Sequence, residues 1–106
     1  MDMRNIKLIV SSLKLSVNAG IYNNDLIDVL DQAHETLVDE GLKESNLKII
    51  NLGGLFATAK VRLNDATIAF KEDEEYTMEM TGCTRQLCFD DAKASVVDLL
   101  AAIEAL

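Results

Sequence analysis

The sequence predicts a two-layer α+β domain. Three observations carry that prediction: an amphipathic helical pattern over residues 24–40, a switch to alternating apolar and polar residues after residue 47, and a return to helical spacing after residue 90. The expected order is α-α-β-β-β-β-α, an antiparallel β-meander of three to four strands packed against two or three helices. With 106 residues the chain can build one hydrophobic core but not two, so residues 1–106 are expected to form a single domain. A hydrophobic fraction of 49% beside 26% charged residues is that of a globular chain rather than a disordered one.

Residues 3–18 admit two readings. As a helix, Ile6, Ile9, Val10, Leu13 and Val17 form an apolar arc and Lys7, Ser11, Lys14 and Asn18 a polar stripe, with Asp2 as cap and Gly20 as stop. As a hairpin, Ile6, Leu8, Val10 and Leu13, Leu15, Val17 share one face across a Ser11-Ser12 turn. A two-residue hairpin loop needs positive φ angles, which serines do not favour, so the helix is preferred.

The next stretch, NDLIDVLDQAHETLVDE, organises the chain. Leu26, Val29, Leu30, Ala33 and Leu37 fall in one arc of a helix, while Asp28, Asp31, Gln32, Glu35 and Asp39 fill the arc opposite. Asn24 is the expected cap, Asp25 sits where the helix dipole favours negative charge, and Gly41 is the expected stop. The outer face carries carboxylates at i, i+3 and i+4 spacings with no lysine or arginine among them. Each close like-charge pair costs about 0.2–0.5 kcal/mol.

From residue 47 the apparent period is two. Leu47 to Leu52 reads as a strand closed by Gly53-Gly54. Leu55, Ala57, Ala59, Val61 and Leu63 then alternate with Phe56, Thr58, Lys60 and Arg62, and Asn64-Asp65 makes a turn. Ala66, Ile68 and Phe70 continue the inward set, residues 71–75 form a charged loop, and Tyr76, Met78 and Met80 resume it opposite Thr77, Glu79 and Thr81. Gln86 to Phe89 reads as a further short strand. Asp90 or Asp91 then caps a C-terminal helix whose Val96, Leu99, Leu100, Ile103 and Leu106 form an apolar stripe. A second face, Ala94, Val97, Ala101 and Ala105, is small enough to admit a close helix within the chain or across a homodimer interface. Alanine's plain preference for helix explains the same residues.

A net charge of −8 and a pI of about 4.4 argue against direct nucleic-acid binding. No apolar run approaches a membrane span, and a cytoplasmic protein is expected. Two cysteines are too few for a disulfide scaffold and lack zinc-site spacing. Cys88, between Leu87 and Phe89, reads as a buried hydrophobe, and Cys83 as the more reactive thiol. His34, the one histidine, lies at the edge of an apolar arc and reads as a boundary residue. No catalytic residues, metal or cofactor are expected, and the chain reads as a non-enzyme.

Charge distribution is the remaining functional signal. Asp28, Asp31, Glu35 and Asp39 run along roughly 17 Å of helix at 1.5 Å per residue. Glu72, Asp73, Glu74 and Glu75 supply a second acidic cluster. Together they point to a small acidic binding protein that occludes a basic surface of a macromolecular partner, as an inhibitor, an immunity-type protein or a nucleic-acid mimic does. The alternative is a structural, adaptor or chaperone-type subunit that self-associates through the C-terminal helix.

Overall fold

The apolar arc of the first segment does become a helix, α1 (Arg4–Asn18), with Ile6, Val10, Leu13 and Val17 buried along one side. The helical reading therefore holds over the hairpin, and Gly20, at φ 77°, takes the left-handed turn that follows the helix. In the computed structural model, residues 4–44 and 47–105 are described, with backbone alone between 40 and 50. The expected Asp2 cap and Leu106 lie outside the described residues.

Helix α2 (Asn24–Glu44) begins one residue after its cap: Asn23 Oδ1, rather than the expected Asn24, accepts from Leu26 N–H at 3.2 Å. It buries Leu30, Ala33 and Leu37. Gly41 does not stop it, since the helix continues to Glu44. Asp39 thus sits more than a turn from the negative helix end, where the dipole penalty has faded.

The expected meander is absent, and the α+β class is corrected to an all-helical one: the described residues contain five helices and no strand. Residues from Leu47 to Lys71 form a single 25-residue helix, α3. Leu52, Phe56, Ala59, Leu63 and Ala66 are buried at the 4-3-4-3 spacing of a helix-bundle seam, and Thr67 and Ala69 are buried near the end of the helix. Of the supposed inward strand face, Ala57 and Val61 point to solvent, Val61 with 58% of its surface exposed. The strand-favouring threonines are accommodated by back-bonding: Thr58 donates to Gly54 O at 3.0 Å and Thr67 to Leu63 O at 2.8 Å, each one turn earlier.

Helix α4 (Glu74–Thr81) replaces the strand expected from Tyr76 to Thr81. Asp73 caps it, its Oδ1 accepting from Tyr76 N–H at 2.8 Å, and Gly82, at φ 76°, closes it. The sides are the reverse of those the alternation implied, since Thr77 is buried while Tyr76, Met78 and Met80 are exposed. Helix α5 (Arg85–Glu104) absorbs the supposed strand at 86–89 and is capped by Thr84, not by Asp90 or Asp91. Val96, Leu99, Leu100 and Ile103 are buried as expected.

Helices α1, α2, α3 and α5 close a ring in which α1 touches α2 and α5, and α3 touches the same two. Cross-helix pairs fix the directions. Lys7 meets Glu104, Tyr22 stacks on Phe89 with ring centroids 4.8 Å apart, Asp31 meets Lys60, and Arg62 meets Asp91. Each neighbour is antiparallel, which makes an up-down-up-down four-helix bundle, 45 Å long and 22 × 20 Å across, with α4 packed on α3 and α5. The core runs through its centre from Ile6, Leu37, Leu52 and Ile103 at one end to Val17, Tyr22 and Ala66 at the other.

Candidate functional site

The amphipathic period of α2 sets the site: with Leu30, Ala33 and Leu37 inside, Asp28, Asp31, Glu35 and Asp39 must face out, and all four are exposed. Asp31, Glu35 and Asp39 share a shallow groove of about 310 Å³ with His34, Val38 and Lys60. Asp28 lies one turn before this groove.

The absence of basic residues on α2's outer face is only half the electrostatics. Lys60 reaches across from α3 and places its Nζ 2.8 Å from Asp31 Oδ1. That hydrogen bond, followed by the lysine's charge, holds the Asp31 carboxyl below its ordinary range. Sequence inspection missed this partner because it assigned Lys60 to a strand. Asp28, Glu35 and Asp39 have no ion pair with any described side chain.

His34 flanks the same groove. Its imidazole stacks on Phe56, with centroids 5.3 Å apart and planes within 6°, and a Cβ at Gly53 would meet its Nε2 at 3.7 Å, an ordinary contact. Partial burial, then the nearby Lys60 charge, push its pKa down, while Asp31 and Glu35 pull it back. It is a boundary histidine, as its position on the helix implied. Phe56 and Ala69, where the cysteine region meets α3, are roughly 20 Å apart along that helix. His34 and the thiols are therefore not neighbours, and no Cys-His pair is assembled.

The second acidic cluster has a different character. Glu72, Asp73, Glu74 and Glu75 are exposed at the α3–α4 turn. Asp73 is occupied as the cap of α4, and Glu74 and Glu75 stand in its first turn, where the helix dipole favours them. Roughly 18 Å of α3 separates Lys60 from Glu72. Ala94, Val97 and Ala101 of α5, with Ala105 at its cap, are all exposed, so none of the described residues covers them. Ala94 borders a cleft of about 210 Å³ between α3 and α5, lined also by Arg62, Asp91 and Asp98.

No group of three or more His, Cys, Asp or Glu among the described residues is placed to hold a metal ion, and no helix there is long and apolar enough to cross a membrane. Comparison with protein-family models, with curated proteins and with solved structures found no match to this chain.

Proposed function

We propose that the protein is a small, non-catalytic, cytoplasmic binding module that occludes a basic surface of a macromolecular partner through the outer face of α2, in the manner of an inhibitor, an immunity-type protein or a nucleic-acid mimic. The observation that carries this reading is the row Asp28, Glu35 and Asp39, exposed and unpaired among the described side chains. Helix stability alone does not call for such a row, because lysines at i+4 would stabilise the same surface. Glu72 to Glu75 form an accessory patch, since capping and the helix dipole already account for most of it. Free thiols suit the reducing compartment the reading assumes.

The test is charge reversal. Asp28→Lys, Glu35→Lys and Asp39→Lys together are expected to leave the helical circular dichroism signal unchanged, because all three side chains are exposed. Wild-type and reversed proteins are immobilised and exposed to extract of the native host at low and high salt. The reading expects a partner held by the wild type, released by salt and not retained by the variant. Equal retention by both proteins removes it.

A second reading rests on the exposed small-residue face of α5. In it Ala94, Val97, Ala101 and Ala105 meet the same face of a second copy, as in a self-associating adaptor or structural subunit.

A further inference from the structure

Neither reading uses the two cysteines, which meet at the α4–α5 junction. Because Thr84 caps α5, Cys83 stands immediately before the cap and Cys88 four residues after it. Side chains at these two positions pack together across the first turn of a helix, a contact ordinarily made by two apolar residues. Here it is made by two free thiols. Thr81 Oγ1 lies 3.4 Å from Cys83 Sγ and 3.5 Å from Cys88 Sγ. The same hydroxyl donates to Thr77 O at 2.7 Å and accepts from Cys83 N–H at 3.3 Å, which fixes it between the two sulfurs. The two sulfurs thus share a single hydrogen-bonded pocket, with Cys83 half-buried and Cys88 only 1% exposed.

We propose that Cys83 and Cys88 are a dithiol modification site whose co-substrate is a hydroperoxide and whose product is an intramolecular disulfide across the first turn of α5. Cys83, the accessible sulfur, attacks the terminal peroxide oxygen. The S–O bond forms, the O–O bond breaks, and the departing alkoxide or hydroxide takes the Cys83 proton, leaving a sulfenic acid and an alcohol or water. Cys88 then attacks the Cys83 sulfur. The S–S bond forms, the S–O bond breaks, and the hydroxide leaves as water with the Cys88 proton. Two electrons pass from the sulfurs to the peroxide. Burial, and then the adjacent Cys83 thiol, push the Cys88 thiol up to about 11, which leaves the less buried Cys83 as the sulfur that meets the peroxide first. Arg85, two residues from Cys83, holds the end of α3, so the disulfide would form at the corner where α3, α4 and α5 are joined.

The full chain is treated with a small excess of hydrogen peroxide, blocked with an alkylating reagent after unfolding, and mapped by peptide mass. The expected result is joint loss of both thiols, a decrease by the mass of two hydrogens within one chain, and full recovery with dithiothreitol. Cys88→Ala is expected to halt at a Cys83 sulfenic acid that dimedone traps, and Cys83→Ala to leave Cys88 unoxidised. A stable sulfenic or sulfinic acid at Cys83 with Cys88 still alkylatable, a disulfide between chains, or no reaction at peroxide levels that oxidise free cysteine would each overturn the proposal. Because the wild-type chain decides it, a variant that misfolds does not blur the outcome.

Discussion

Arg85 carries a stability role that its position in the sequence conceals. Helix α3 ends at Lys71, so the carbonyls of its last turn lack intrahelical donors. Glu72 N–H satisfies Ile68 O at 2.9 Å. The next two are taken by one guanidinium from α5, Arg85 Nε donating to Ala69 O at 2.6 Å and Nη2 to Phe70 O at 3.0 Å. A charge-assisted bond is worth about 1.5–3 kcal/mol where water is excluded, but Arg85 is exposed and each of these is better taken as about 0.5–1. The cation at the negative end of α3 adds about 0.3–1 kcal/mol. Arg85→Ala should therefore cost about 1.3–3 kcal/mol, seen as a lower urea midpoint with an unchanged slope and a melting temperature lower by roughly 6–13 °C. Arg85→Lys keeps the charge but not the two-pronged donor, and should recover only the smaller, dipolar part. If Arg85→Ala unfolds within about 0.3 kcal/mol of the wild type, water replaces the guanidinium without loss and the clasp contributes nothing.

Two further outcomes follow from the same structure. His34 has a folded pKa below its unfolded value of 6.5, so the unfolded chain binds its proton first. Its stabilising contribution is complete above 6.5, is lost as pH falls through the window down to the lowered folded value, and levels off below it. Urea unfolding at a series of pH values should show that slope in the wild type and lose it in His34→Gln. For the α5 face, the second functional reading expects a dimer by light scattering that Ala101→Glu dissociates without loss of helical signal, and a wild-type monomer at high concentration refutes it.

How much of the fold could be read in advance depended on which residues carried the pattern. In α1 the hairpin reading is set aside only by its Ser11-Ser12 turn. α2 and the second half of α5 place apolar residues on one side and polar or small ones on the other, and their period reads as helical. α3 does not. Its seam, Leu52, Phe56, Ala59, Leu63 and Ala66, includes two alanines, which fit either period, while the exposed Ala57 and Val61 complete a false alternation with Leu55, Ala59 and Leu63. Gly53-Gly54, together with Thr58, Val61, Thr67 and Ile68, tilts local preference further toward strand. Tertiary packing decided otherwise, because a 25-residue helix packed on α2 and α5 buries Phe56 and Leu63 in the core. Some of the missed detail did have a signal. Thr84 followed by a helical run, with thiols one residue before it and four after, is a legible helix start. The Asp31–Lys60 bridge had none, since it joins residues whose proximity only the α2–α3 packing creates.

That bridge bears on how the acidic face must be understood. Were α2's carboxylates simply solvating charge, their mutual repulsion would be relieved most cheaply by lysines at i+4 on the same helix. Among the described side chains the relief comes instead from a cation on a neighbouring helix, and it falls at Asp31. Asp28 is left to one side of the neutralised centre, and Glu35 and Asp39 to the other. On the binding function proposed above, a partner's cations would meet two separated anionic positions rather than a uniform ridge, which would favour a basic surface of matching spacing over a diffuse polycation. The carboxylates at 72–75, already used to start α4, add field rather than fit. On that proposal, specificity would come from the place among the described side chains where the charge of this surface is cancelled, Asp31.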